Sequence, residues 1–205
     1  MNQQPVHIHW QYSGKPDGFF GTGATRQEQM LVWSFGLLAT ALAGWAVWEK
    51  AIPWTGWQYV IAGLLALDVL GGVVANALNS CKRFYHAPLQ AEETGLLRFV
   101  KNHFVFTVLH VHPLIIGFLF GQPNWVYGIS WYAILVVSAI LVLQMPLYLQ
   151  RPMAFGVIML AILLNLYIIE PVAGFEWLAP ALFLKIIYGH LVREEPYRPM
   201  QSEHA

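Results

Sequence analysis

Three histidines, His103, His110 and His112, stand in the run HFVFTVLHVHPLIIGFLF, which is otherwise apolar enough to lie in lipid. A second apolar run, WQYVIAGLLALDVLGGVVANALN, carries Asp68 near its middle. An aspartate at a bilayer centre costs about 2.5–3.5 kcal/mol on insertion scales, so Asp68 is expected to face protein or water. At 100° per residue on one helix, Asp68, Gly72, Asn76, Asn79 and Arg83 fall within an arc of about 80° and form one polar stripe. His103 and His110 share a face of the third run, about 10 Å apart along the axis. His112 lies about 200° around from His110 on a regular helix. Pro113 is expected to kink that helix and free the carbonyl of Leu109. The sixth apolar run, FEWLAPALFLKIIYGHL, adds Lys185 and His190. Helical side chains lean toward the helix N-terminus, which points Lys185 toward the level of Asp68 and suggests an ion pair.

Two chemistries suit these residue types. Asp68, His110 and His103 form a candidate acid–base set in which a neutral His110 takes a proton and Asp68 orients it. His110, Asp68 and His190 are candidate ligands for a divalent metal that activates water. Around them, Asn76, Asn79, Lys82, Arg83, His86, Lys185 and Arg193 are candidates for holding a polar headgroup. The basic members also satisfy the lysine and arginine bias of a membrane protein without any ligand. Haem held by His110 and His190 is a weaker alternative, because only the third run has more than one histidine. A proton-coupled transporter and a non-catalytic assembly role stay open. Against transport, no inverted repeat is visible and the polar residues gather on one side. None of the patterns H-E-x-x-H, H-x3-H or G-x-S-x-G occurs.

The elements that must position these residues follow from composition. The 205 residues are 57% hydrophobic and 11% charged. Soluble domains average about 25% charged residues, and the mean hydropathy of +0.51 points the same way. Six runs meet the length rule for a membrane helix, at 30–48, 57–79, 103–120, 127–149, 153–169 and 175–192. The class is an all-α, polytopic membrane protein, a six-helix bundle with membrane lipids as its surroundings and no strands. Residues 1–29 form a polar leading segment without a signal-peptide pattern, 30–192 the helical domain, and 193–205 a tail. Thr25 and Glu28 make a capping box ahead of the first span. Pro53, Pro123, the Gln150-Arg151-Pro152 step and Glu170-Pro171 are read as turns. Asn165 and Gln144 are read as helix-packing residues.

With the N-terminus inside, nine lysines and arginines fall on the cytoplasmic side and only Lys50 on the other, which sets both termini in the cytoplasm. Trp48, Trp54, Trp57, Trp125 and Trp177 then mark the outer boundary. In a bacterium such a protein lies in the plasma (inner) membrane. The loop at 80–102 is cytoplasmic, and Leu96, Leu97, Phe99 and Val100 suit a short interfacial helix within it. A net charge of zero without a basic run gives no nucleic-acid signal. The lone Cys81 excludes an intrachain disulfide.

Overall fold

The computed structural model describes residues 6–91, 93–120 and 124–199. Two helices open the bundle, α1 (Arg26–Glu49) and α2 (Gly56–Ala77), and a short α3 (Asn79–His86) follows. Next come α4 (Gly95–Val100), α5 (His103–Val108) and α6 (His112–Leu119). The long α7 (Trp125–Gln144) and α8 (Leu147–Tyr167) precede α9 (Leu178–Phe183), which continues as a π-helical stretch over Leu184–His190. The helices α1, α2, α7 and α8 are long and apolar enough to cross a membrane. The third and sixth runs form shorter apolar helical segments, His103–Leu119 and Leu178–His190.

The T-x-x-E box closes as the sequence implies: Thr25 Oγ1 accepts from Glu28 N–H, and Glu28 Oε2 accepts from Thr25 N–H at 2.7 Å. The core lies where α2, α6, α7, α8 and α9 meet, around the buried Val69, Trp131, Leu135, Phe183 and Ile186. Away from the chain ends, Trp54, Phe120 and Phe175 pack ring against ring, with centroids 4.6–5.1 Å apart. Lys50 pairs with Glu176 beside them at 2.8 Å. In α4, Leu96 and Phe99 are exposed, as a short interfacial helix requires.

Three boundaries depart from the sequence reading. The polar stripe does not run on one helix, because Leu78 is extended (φ −64°, ψ 143°) and separates α2 from α3. Asn79 and Arg83 therefore leave the face shared by Asp68, Gly72 and Asn76. The third run breaks outright over Leu109–Val111 instead of kinking. Its loose carbonyls are recovered locally: Val108 O accepts from Tyr132 Oη at 2.8 Å, and Leu109 O from Val111 N–H at 2.9 Å. Pro113 sits in the first turn of α6, where its missing N–H is one of the unpaired donors anyway. The turn read at Gln150-Arg151-Pro152 lies instead at Met145-Pro146. Pro152 rides inside α8 near its start, where it removes only one helical hydrogen bond. Pro123 lies outside the described residues.

The chain is not free of strands. Val6–Ile8 (β1) pairs antiparallel with Tyr197–Pro199 (β2), His7 opposite Arg198. This ribbon puts both chain ends on one face of the bundle, here called the terminal face. Two buried cations brace that face. Lys82, 2% exposed, donates to the carbonyls of Gly189 at 2.6 Å and Val192 at 2.8 Å. It thus caps the end of the π-helical stretch, where carbonyls would otherwise lack donors. Burial, opposed by Glu194, lowers its pKa from 10.5 to about 8. Lys101 Nζ donates to Glu93 Oε2 at 2.7 Å and to Tyr12 Oη at 2.9 Å, and Tyr12 donates to Glu93 Oε1 at 2.6 Å. The triad ties the leading segment to the loop before the third run.

Burial alone would raise the Glu93 pKa, but the hydrogen bonds from Lys101, Tyr12 and the Gln90 N–H outweigh it and hold the carboxyl below its ordinary value of 4.5. A depressed carboxylate contributes stability that is present above the unfolded pKa and lost as pH falls through the folded one. Glu93→Gln is expected to cost roughly 3 kcal/mol, since it leaves Lys101 buried without its partner. Thermal melts of this variant should lose the part of the acid-limb destabilisation that wild type shows below pH 4.5. Protease cutting within residues 9–20 should rise in parallel.

Candidate functional site

Asp68 sits on α2 with its carboxylate engaged twice. Lys185 Nζ donates to Oδ2 at 2.7 Å, and His112 Nε2 lies 2.8 Å from the same oxygen. The Lys185 pairing agrees with the direction in which a helical side chain leans. The His112 pairing was not legible in regular geometry: the break at Leu109–Val111 swings His112 to the Asp68 side and brings its ring to 5.4 Å from that of His110. The pattern H-V-H-P held the only signal for it, since a proline there marks a backbone free to leave the helix. Lys185 belongs to the π-helical stretch and is 4% exposed. Its aliphatic chain crosses Gly72 so closely that any Cβ there would collide with it. Gly72 is thus the residue that lets Lys185 reach Asp68.

His110 is not oriented by Asp68, as the sequence suggested, but by its own helix. Its Nδ1 lies 2.7 Å from Phe106 O. A carbonyl only accepts, so Nδ1 carries the proton and the Nε2 lone pair is the free basic atom. His110 lines a cavity of about 170 Å³ together with Asp68, Gly72, Ala75, Asn76, Phe106 and Lys185. Gly18 and Phe19 of the leading segment close its wall. That segment is fixed by Tyr85 Oη donating to Gly18 O at 2.6 Å and by Ser80 Oγ donating to Phe20 O. Gly21 follows at φ +78° with its Cα against the backbone of Ser80 and Cys81, a place and a conformation that exclude a side chain.

A second histidine group stands nearer the terminal face. His103 Nδ1 and His190 Nε2 are 3.1 Å apart, and His86 Nε2 donates to His190 O at 3.0 Å. Burial, then the nearby His103 and Lys82, lower the His86 pKa to about 3, so its ring is neutral near pH 7. His86, His103, Gln150 and Arg193 line a groove of about 270 Å³. Among the described ring contacts the two groups meet only through Phe106, 3.8 Å from His190 and 4.6 Å from His110. Neither Phe106 nor the Gly18–Phe19 wall was anticipated, because both are apolar and carry no chemical signature.

The metal set His110, Asp68 and His190 does not assemble. Among the described residues no three His, Cys, Asp or Glu side chains converge as metal ligands. Asp68 and His110 are on one side of Phe106 and His190 is on the other group. The same phenyl ring packs against both His110 and His190, where a haem plane would need to lie between them. The headgroup candidates also divide. Asn76 and Lys185 line the cavity, and His86 and Arg193 line the groove. Asn79 Oδ1 accepts from Tyr197 N–H at 3.2 Å and Lys82 caps backbone carbonyls, and both also line, with Arg193, a third space of about 770 Å³ at the terminal face. Arg83 is buried under the ribbon and lines none of the three.

Asp68→Asn alone leaves the Lys185 ammonium buried without a counter-charge, and this is expected to cost roughly 3 kcal/mol. The pair Asp68→Asn with Lys185→Met should regain most of that loss in detergent melts. Equal destabilisation by the single and double variants would show that the ion pair is not what holds α2 to the last helix.

No family model, no curated protein and no solved structure matches the chain, so the functional reading rests on the chemistry of the site itself.

Proposed function

We propose that the protein is a polytopic membrane protein with six crossings and cytoplasmic termini, whose cavity performs acid–base chemistry on the polar head of an amphiphile. The observation that carries this reading is the state of His110: one nitrogen tied to Phe106 O, the other a free base facing Lys185 across a small cavity. Residues 30–192 are then the membrane domain, with 1–29, the loop at 80–102 and 193–205 in the cytoplasm, as the nine-to-one lysine and arginine bias favours. The irregular third and sixth crossings fit a membrane protein, because non-helical backbone is tolerated at depth where it lines a cavity.

In this mechanism the substrate's tails stay in the bilayer and its head enters from the terminal face. His110 Nε2 takes a proton from a hydroxyl or amine of the head. The Lys185 ammonium stabilises the charge that develops, and Asp68 holds both Lys185 and His112 in place. Asn76, 6% exposed and on the cavity wall, positions the head. The protein is expected to convert a component of a total lipid extract in detergent micelles, followed by mass spectrometry. His110→Ala and Lys185→Met should each lower turnover by at least a hundredfold, and the double variant should be little worse, as for groups serving one step. An unchanged lipid profile with wild-type protein would overturn the reading.

A second reading, proton-coupled transport, is favoured by the hydrogen-bonded His103–His190 pair beside His86. It requires protons to pass the Phe106 ring. Uptake of a solute into sealed vesicles that needs a proton gradient and is lost in His190→Ala would replace the enzyme reading.

A further inference from the structure

The least satisfied charge outside the cavity is Arg83. It is 1% exposed, yet its Nε and Nη1 have no hydrogen-bond partner among the described residues. An unpaired buried guanidinium is strongly disfavoured, so such a group points to something that joins it. Its surroundings follow from the ribbon. Asn79, one turn earlier on the same face of α3, accepts from Tyr197 N–H, which lays β2 across α3 and brings Arg198 to Arg83. Arg198 also has a buried Nε without a partner, while its Nη2 donates to Gly23 O at 3.2 Å. Gly23 is two residues before Thr25, the cap of α1. On the other strand His9 N–H donates to Pro196 O at 2.8 Å, and His9 Nδ1 is likewise buried without a partner.

Among the described residues no carboxylate neutralises this cluster. Glu28 is the carboxylate among them that acts on Arg83, and its oxygens are already committed: Oε2 to the N–H and hydroxyl of Thr25, Oε1 to Ser80 N–H at 3.3 Å. Burial, and next Arg198, push the Arg83 pKa down, with Glu28 pulling the other way. Arginine keeps its proton near neutrality nonetheless, so two positive groups stay side by side. The amino end of the 24-residue α1 adds its partial positive charge at the same place.

We propose that Arg83 and Arg198, beside the amino end of α1, form a site for a phosphate-type oxyanion that fastens the terminal ribbon to α3. The oxyanion accepts from the unpaired guanidinium nitrogens and offsets the repulsion between the two arginines. Its source is either a free phosphate or the headgroup of an anionic phospholipid, since both present the same oxygens. The inference is independent of the acid–base reading, because none of these residues lines the cavity.

The test uses the full chain in uncharged detergent and phosphate-free buffer. Inorganic phosphate should bind saturably and raise Tm by about 3 °C at saturation. Arg198→Gln, at a half-exposed strand position, should weaken phosphate binding at least tenfold. Arg83→Met should melt no lower than wild type without phosphate, because an unpaired buried charge has been removed, and should ignore added phosphate. If inorganic phosphate has no effect but nanodiscs of phosphatidylglycerol stabilise wild type over nanodiscs of phosphatidylcholine, and Arg198→Gln abolishes the difference, the headgroup is the source. The proposal is overturned if neither phosphate nor phosphatidylglycerol stabilises wild type, or if the stabilisation persists in Arg198→Gln. Should Arg83→Met not fold, Arg198→Gln alone decides.

Discussion

One carboxylate in the middle of an apolar helix sets the terms for the rest of this molecule. Asp68 cannot stand alone in a low-dielectric interior, and three features of the bundle exist in relation to it. Gly72 opens a passage on its own helix, the last helix supplies Lys185 through that passage, and the third run gives up helical geometry so that His112 can reach the same oxygen. The buried Lys185 ammonium would be costly alone, and it is tolerable because it meets the half-exposed Asp68 carboxylate at hydrogen-bond distance.

The irregular stretches are consistent with that constraint. A regular helix at Leu109–Val111 would keep His112 on the far side. A π-helical stretch at Leu184–His190 accommodates an extra residue per turn, a distortion often seen at functional sites. Both distortions release backbone carbonyls, and both are answered by side chains from other elements, Tyr132 in one case and Lys82 in the other. The positive charge of Lys82 is therefore a structural clasp, although its position beside other basic residues resembles an anion site in the sequence.

What could be read from sequence follows the same division. Asp68 was conspicuous because its cost does not depend on the fold, and Lys185 could be aimed at it because side-chain direction is a local property of any helix. The capping box at Thr25–Glu28 is local as well. Where the reading failed, the deciding contact was distant in sequence. Met145-Pro146 and Gln150-Arg151-Pro152 offer equally good turns, and packing of the buried Gln150 and Ala154 selects the first. Asn79 and Arg83 would lie with Asp68 on one helix, but Tyr197, 118 residues beyond Asn79, draws them to the ribbon. Phe106, which divides the histidines into two groups, is one apolar residue among many in its run.

The pairing of the first strand with the last has a consequence for assembly. Val6–Ile8 precede every helix of the bundle in the chain, and their partner, Tyr197–Pro199, follows the last of them. Until that partner is made, Tyr85 and Ser80 can hold the leading segment at Gly18 and Phe20, but its ribbon has no partner strand. The ribbon thus closes last, after every helix that surrounds the cavity has been made. The order in which the chain is made delays the joining of the two strands until the helices between them are complete.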